Sequence, residues 1–157
     1  TWKQPELARS LRLISEQGPR AFYQGEVGDS LVAEMQRGGG IITKADLAAY
    51  KPLWREPIRS TYRGHVLYSM PPASSGGIIV TEILNIVEAR GAMPPFGSTA
   101  HAHLLAEAMR RAFIDRNEKL ADPAFVPVPL AQLTSKDYAR KLASTIDPAR
   151  ATPTPAA

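Results

Sequence analysis

Apolar residues recur at three- and four-residue intervals in five stretches of the chain, which predicts an organisation dominated by helices. The stretches are residues 5–17, 26–37, 78–90, 98–120 and 135–146. A short sixth helix is predicted through Tyr50, because Thr43 and Asp46 have the spacing of a capping box. Residues 20–25 are expected to form a short link, and the run of three glycines after Arg37 is expected to end the second helix.

A β-hairpin is the one departure from this helical pattern. Residues 58–61 and 66–70 read as strands, and Gly64 in the turn between them can take a positive φ. A lone hairpin is marginally stable in water, so we expect the strands to join a sheet outside this segment or to lie against a helix. The predicted fold class is therefore α+β, predominantly helical with one β-hairpin.

The helix over residues 98–120 has the clearest pattern. Its polar side carries two acid–base pairs at i,i+4 spacing, Glu107 with Arg111 and Asp115 with Lys119, and each such pair contributes about 0.2–0.5 kcal/mol on a helix surface. An acid/base role for Asp115, Arg116 and Asp122 is less favoured than structural ion pairing. The apolar stripe consists of His101, Leu104, Leu105, Ala108, Ala112, Phe113 and Leu120.

The end of the chain differs in composition from the rest. Residues from Asp147 onwards are mostly Ala, Pro, Thr and Arg, which bury too little apolar surface to become ordered. We therefore expect disorder there. The sequence divides into a helical segment, residues 1–147, and a Pro/Ala/Thr-rich tail, residues 148–157.

Composition excludes several classes of function. Hydrophobic residues make up 44% and charged residues 22% of 157, which is ordinary for a globular domain. The net charge of +4 comes from scattered basic residues, so no nucleic-acid partner is expected. The absence of cysteine excludes disulfides and thiolate metal sites. No apolar run approaches the roughly 18 residues of a membrane span, so no membrane partner is expected, and no signal peptide is visible at Thr1.

Three groups of residues could bind a ligand, and each also has a structural interpretation. Ser74 and Ser75 precede two glycines at a helix start, where backbone N–H groups can bind an anion, but simple helix capping is favoured. Arg63 in the hairpin turn could grip a carboxylate and is a weak substrate-binding candidate. His103 and Glu107 could share a metal ion, yet His101 lies on nearly the opposite face of the helix, so no metal site is expected.

Known sequence signatures of catalysis are missing. The Gly38-Gly39-Gly40 run lacks the Gly-Lys-Ser/Thr ending of a phosphate-binding loop. The sequence also contains no Gly-x-Ser-x-Gly elbow. We therefore assign no catalytic residue and no cofactor to this chain.

Four sequence blocks nevertheless carry a specific resemblance. In order they are GGGIITKADLAAY, REPIRSTYRGHVLYSMPPASSGG, EAMRRAFIDR and LADPAF. Their order and spacing resemble the large subunit of gamma-glutamyltranspeptidases, over roughly residues 5–146. The family usually has a third proline where this chain has Ala73.

The resemblance implies a fold and an activity for a parent protein. The expected fold is the αββα sandwich of N-terminal-nucleophile hydrolases, in which a precursor cuts itself before a threonine. That threonine opens the small subunit and attacks the γ-glutamyl amide of glutathione, after which water or an amino-acid or peptide acceptor takes the glutamyl group. Its T-T-H-x-S-V-V-D run is absent here, so this chain is expected to be the C-terminal part of the large subunit and inactive alone.

The same resemblance limits the site residues and suggests partners. The family's paired serines lie in the small subunit and its glutamyl-binding arginine lies upstream, so neither role passes to Ser74, Ser75 or Arg63. The implied partners are the small subunit, glutathione and acceptors, and the implied location is periplasmic or extracellular. In isolation the segment is expected to expose apolar surface at the strand edges and at the face formed by Ile79, Ile83 and Ile86.

Two alternatives remain open at this point. A related acylase of the cephalosporin-acylase type, or a capsule transpeptidase, would share these helices, and its substrate choice would lie in residues outside the chain. A stand-alone, non-catalytic helical domain is the second alternative.

Overall fold

The computed structural model describes residues 2–153 and divides the chain into two compact units, residues 1–54 and 55–157. Thr1 and residues 154–157, the last part of the predicted tail, lie outside the described residues.

The first unit is a set of four helices. They are α1 (Pro5–Gln17), α2 (Arg20–Tyr23), α3 (Glu26–Gly38) and α4 (Lys44–Ala49). Helix α2 occupies the stretch that the sequence pattern predicted as a link. Pro19 presets a helical φ and its carbonyl accepts the N–H of Tyr23 at 3.0 Å, so a single turn forms there without any apolar periodicity.

Local signals at the ends of these helices are confirmed. The Thr43 hydroxyl accepts the N–H of Asp46 at 3.2 Å, and the Asp46 carboxylate accepts the N–H of Thr43 at 2.8 Å, which completes the capping box. Helix α3 is followed by Gly39, whose φ of 72° is the left-handed conformation that closes many helices.

The second unit begins with the predicted hairpin. Strands β1 (Ile58–Tyr62) and β2 (His65–Ser69) pair antiparallel, with Ile58 opposite Ser69. Arg63 and Gly64 between them have φ values of 47° and 83°, as a tight two-residue turn of this kind requires. The inner face of the hairpin lies against α5, so the strands are supported by a helix within the same unit.

Four helices follow the hairpin. They are α5 (Gly76–Ala89), α6 (Thr99–Lys119), α7 (Leu130–Leu133) and α8 (Lys136–Ser144). The hydroxyls of Ser98 and Ser135 accept the third N–H of α6 and α8 at 3.2 and 3.1 Å, so both caps are confirmed. The one-turn helix α7 had no sequence signal. Among the described residues no helix has both the length and the apolar character needed to cross a membrane.

Helix α5 lies at the centre of the second unit and packs against the hairpin, α6 and α8. Its Ile86 and Val87 form the main core with residues of α6 and α8, and Ile78 forms a smaller core with Ile58 and Leu133. The expectation that the face of Ile79, Ile83 and Ile86 would be exposed is therefore wrong. Ile86 is fully buried, Ile79 is buried and Ile83 is half-buried, because α6 and α8 supply the apolar partners.

Helix α6 also differs from its predicted polarity. Both predicted ion pairs form, but Glu107, Arg111 and Asp115 are buried, whereas Phe113 of the predicted apolar stripe is 44% exposed. The reason is tertiary: polar groups of α8 and of the segment after it face this side of α6 and take up its charges by hydrogen bonding.

The segment after α8 is more ordered than its composition suggests. Ile146 is 4% exposed and belongs to the main core, and Thr152 is half-buried and hydrogen-bonded to Glu107. The prediction of disorder from Asp147 onwards is thus wrong up to residue 153, because contacts with a buried carboxylate replace the missing apolar burial.

Apolar surface is exposed elsewhere in the second unit. On β2 and just after it, Val66, Tyr68 and Met70 are 48%, 67% and 65% exposed. Val66 and Tyr68 lie opposite Thr61 and Arg59 on the face of the hairpin away from α5. The expectation of exposed apolar surface holds for the strands and fails for α5.

The start of α5 provides a matched test of this packing. A Cβ at Gly77 would lie 2.2 Å from the carbonyl oxygen of Met70, whereas one at Gly76 would have the Ser74 hydroxyl as its nearest neighbour, at 3.7 Å. We expect Gly77→Ala to lower the free energy of unfolding by about 1–3 kcal/mol or more, because backbone must move. Gly76→Ala should be neutral or stabilising, since alanine is the better helix former. Urea unfolding of both variants measures the difference, and equal stabilities would contradict the close approach.

Candidate functional site

A buried carboxyl group on α5 is the most unusual polar feature of the second unit. Glu82 is 1% exposed, and neither of its oxygens accepts a hydrogen bond from a donor in residues 2–153. Burial raises its pKa first, the nearby negative charge of Asp115 raises it further, and a hydrogen bond with Asp115 adds to this, giving a pKa of about 8. Glu82 is therefore protonated at neutral pH and can donate its proton to Asp115.

Asp115 is the acceptor at the centre of this cluster. Its Oδ2 accepts the hydroxyl of Tyr138 at 2.7 Å, and its Oδ1 accepts the ammonium group of Lys119, which also donates to the Tyr138 hydroxyl at 2.9 Å. Burial lowers the pKa of Lys119, but its hydrogen bonds with Asp115 and Tyr138 outweigh burial and raise it overall. The cluster thus contains one carboxylate, one ammonium group and one neutral carboxyl, and it joins α5, α6 and α8.

A second polar cluster lies one to two turns earlier on α6. The Glu107 carboxylate accepts Arg111 Nη1 at 2.6 Å, the N–H of Thr152 at 3.0 Å and the Thr152 hydroxyl at 2.5 Å. Burial alone would raise the pKa of Glu107, yet the hydrogen bonds from Thr152 and Arg111 together outweigh it and lower the pKa to about 2. This carboxylate is charged at neutral pH and fully engaged.

The predicted anion site at the start of α5 has a different arrangement from the capping that was favoured. Ser75 precedes the helix, but its hydroxyl accepts Nε of Arg116 at 3.3 Å, and the Ser74 hydroxyl accepts the N–H of Gly76 at a long 3.4 Å. Ser75 and Arg116 line an open cleft of about 470 Å³ with Asp122, which pairs with Arg55. Arg116 is exposed, so the cleft has no buried cation to hold an anion.

The other predicted candidates are engaged within the chain. The Arg63 guanidinium donates to the carbonyl of Gly91 at 3.3 Å and lies 5.2 Å from the Tyr62 ring centre, while its backbone N–H donates to Glu88 at 2.6 Å. His103 Nε2 lies 2.8 Å from the carbonyl oxygen of Asp147. The His101 ring is 5.3 Å from the Phe96 ring. Within residues 2–153 no three His, Asp or Glu side chains converge as metal ligands would.

Sequence reasoning missed Glu82 and the role of Thr152. Thr81, Glu82 and Asn85 are buried polar residues in a mostly apolar helix α5. A charged residue among these inward-facing positions is the signal that could have identified Glu82. Thr152 carries no comparable signal, because its partner Glu107 lies 45 positions earlier in the chain.

Comparison with known proteins assigns the chain to a family. The family model described as gamma-glutamyltranspeptidase matches residues 1–157. A glutathione hydrolase proenzyme of Pseudomonas sp. (strain A14) is 51% identical over 94% of the chain, and the acylase ACY 1 proenzyme of Pseudomonas sp. (strain SE83) is 47% identical over 92%. The crystal structure of Helicobacter pylori gamma-glutamyltranspeptidase superposes on 97% of the chain with a TM-score of 0.86 and 42% identity.

The chain belongs to the gamma-glutamyltranspeptidase family. It spans 26% of the length of each of these two curated relatives and 44% of the H. pylori chain. Both relatives are named as proenzymes. The predicted resemblance and the predominantly helical fold with one hairpin are thus confirmed.

Glu82 gives stability a defined dependence on pH. An unfolded glutamate ionises near 4.5, whereas the folded one keeps its proton up to about 8, so the folded state binds more protons across this window. We expect the free energy of unfolding to fall by up to about 1.4 kcal/mol per pH unit from pH 5 to 8, because ∂ΔG/∂pH is negative there.

The substitution Glu82→Gln should remove most of this slope, since glutamine stays neutral and keeps a donor for Asp115. The matched control is Glu118→Gln on the exposed side of α6, which should leave the slope unchanged. Urea unfolding at several pH values measures both. A slope of equal size in the wild type and in Glu82→Gln would contradict the prediction, because the slope would then come from groups other than Glu82.

Proposed function

We propose that the chain is a segment of the large subunit of a gamma-glutamyltransferase or glutathione hydrolase, located upstream of the self-cleavage site. The observation that carries the proposal is the family match over residues 1–157, by a chain that spans about a quarter of related proenzymes. On this proposal the segment supplies structure, and the reacting threonine belongs to the small subunit of the same precursor.

The reaction of the parent is acyl transfer. The hydroxyl of the N-terminal threonine attacks the γ-glutamyl amide carbon of glutathione, with its own α-amine as base, and the amine portion leaves. The resulting ester reacts with water to give glutamate, or with an amino acid or peptide to give a new γ-glutamyl amide. Backbone N–H groups would stabilise the tetrahedral oxygen. None of these steps requires a cofactor.

The side chains of this chain are occupied in ways that fit a supporting role. The hydroxyls of Ser98 and Ser135 cap helices, and that of Ser75 accepts a hydrogen bond from Arg116. Activation of a serine nucleophile would require a histidine ring as base, and none of these three hydrogen bonds involves one, because His101 donates to Ser98 only through its backbone N–H. The perturbed acid Glu82 is enclosed in the core between α5 and α6, where no substrate can reach it.

The hairpin offers a surface for the rest of the parent. Its two strands are the entire sheet within the described residues, and its outer face exposes Val66 and Tyr68. In the parent we propose that further strands and helices cover this face and extend the sheet into an αββα sandwich. The exposed side chains of Trp54, Phe96 and Phe125 would be covered in the same way.

Partners and location follow from the same assignment. The proposed protein partner is the small subunit, the small-molecule partners are glutathione and its acceptors, and the proposed location is periplasmic or extracellular. The second candidate function is that of an acylase of the same family. The 47% identity to the acylase ACY 1 proenzyme favours this candidate over an unrelated activity. The chain spans 26% of that acylase proenzyme, and the proposal places substrate choice in the remainder of the parent.

A direct test combines intact mass with an assay of the full-length parent protein. We expect two polypeptides, the smaller one beginning with threonine, and release of p-nitroaniline from γ-glutamyl-p-nitroanilide. The acylase alternative predicts cleavage of glutaryl-p-nitroanilide in preference to the γ-glutamyl substrate. The glutaryl group keeps the carboxylate and lacks only the α-amino group, for which that site would have no contacts. Conversion of the new terminal threonine to alanine is the control and should abolish both activities.

The isolated 157-residue chain gives the complementary result. A single species of 17.1 kDa without transferase activity is expected. A full-length parent that stays uncut and inactive would overturn the proposal and favour a non-catalytic domain.

A further inference from the structure

We propose that His103, Glu107 and Arg111 of α6 form a latch that fixes the path of the chain after α8 and thereby positions the downstream linker for self-cleavage. This inference rests on the function proposed above. It assigns a role to a polar cluster that the acyl-transfer chemistry does not use. The three side chains are positioning residues, because none of them is proposed to touch the bond that breaks.

The latch residues lie on one face of α6, since they are four positions apart and therefore one turn from each other. Each contacts a different point of the following segment. Arg111 binds Thr145, through Nη2 to its carbonyl at 2.9 Å and through Nε to its hydroxyl at 2.8 Å. His103 contacts the Asp147 carbonyl at 2.8 Å, and Glu107 binds Thr152.

The contact between Glu107 and Thr152 is the most specific of the three. The carboxylate receives both the backbone N–H and the hydroxyl of Thr152, so it fixes the main chain as well as the side chain. Glu107 is 2% exposed and Arg111 is 8% exposed. Hydrogen bonds to a charged group in a site with little water are stronger than ordinary surface contacts.

Stability alone is a weak explanation for such a site. A buried ion pair can often be replaced by apolar side chains without loss of stability, because desolvation of both charges offsets their attraction. Apolar packing, however, cannot bind one particular main-chain N–H and one particular hydroxyl. Such directional contacts are needed to fix a segment that is otherwise rich in proline and alanine. The latch therefore provides a fixed geometry for residues 145–152 that their own composition does not provide.

The rate of a reaction within one chain depends on how firmly the ends of the reacting segment are held. Self-cleavage hydrolyses one peptide bond, consuming one water and leaving a carboxyl terminus and a new α-amine. Its rate depends on how often the linker presents that bond to the reacting threonine, and tethering one end of the linker at Thr152 reduces the conformations to be searched. Release of Thr152 should therefore slow cleavage with little effect on the folded core.

The test uses the full-length precursor made by cell-free synthesis, with the fraction cleaved followed over time by gel and intact mass. We expect Thr152→Val to lower the rate constant of cleavage about tenfold or more, the factor typical of losing a hydrogen bond to a charged group. Thr152→Ser should restore the rate, because serine keeps the hydroxyl that valine lacks, while both variants keep the backbone N–H. Glu34→Gln, in an exposed ion pair of α3, is the matched control and should cleave like the wild type.

Melting temperatures of the uncut precursors separate positioning from stability. The proposal requires slower cleavage in Thr152→Val at a melting temperature within about 2 °C of the wild type. Wild-type rates in Thr152→Val would overturn the latch while leaving the proposed function intact. A slower rate with a matching loss of melting temperature, or no recovery in Thr152→Ser, would also overturn it. Failure of the wild type itself to cut would instead remove the proposed function.

Discussion

Glu82 is buried in the second unit and no described group donates a hydrogen bond to it, so burial favours a neutral carboxyl at that position. The charge that would form there is opposed by burial and by Asp115 on the neighbouring helix. Once protonated, Glu82 becomes a donor to Asp115, and Asp115 in turn holds Lys119 and Tyr138. A protonated Glu82 thus links α5 to α6, and Asp115 links α6 to α8 through Tyr138, beside the apolar core that these helices share.

The two polar clusters of α6 lie at different positions along the helix and connect it to different parts of the second unit. The Asp115 cluster joins three helices, whereas the Glu107 cluster joins the helix to the segment after α8. In the first, burial keeps a carboxyl neutral; in the second, three donors around one carboxylate keep it charged. The number of hydrogen-bond donors decides between these outcomes, because both side chains are almost fully buried.

The family assignment gives meaning to the surfaces that this segment leaves exposed. The outer face of the two-stranded hairpin exposes Val66 and Tyr68. Apolar side chains are unusual on a solvent-exposed sheet face and are ordinary on a sheet face that other elements cover. The chain covers 26% of the glutathione hydrolase proenzyme it resembles. The elements that would cover these exposed side chains therefore belong to the remaining part of such a protein. The hydroxyls of Ser98 and Ser135 meanwhile cap helices, the His101 ring lies near the Phe96 ring, and His103 contacts the Asp147 carbonyl.

The sequence alone determined the elements whose signals are local. Helix ends such as the capping box at Thr43, the left-handed Gly39 and the Arg63–Gly64 turn depend on residues a few positions apart, so a short window contains all the information. Only the tertiary structure decided which face of α6 is buried, that Glu82 is protonated, and that Thr152 is held. These outcomes depend on partners 23 to 45 positions away, whose approach no local pattern encodes.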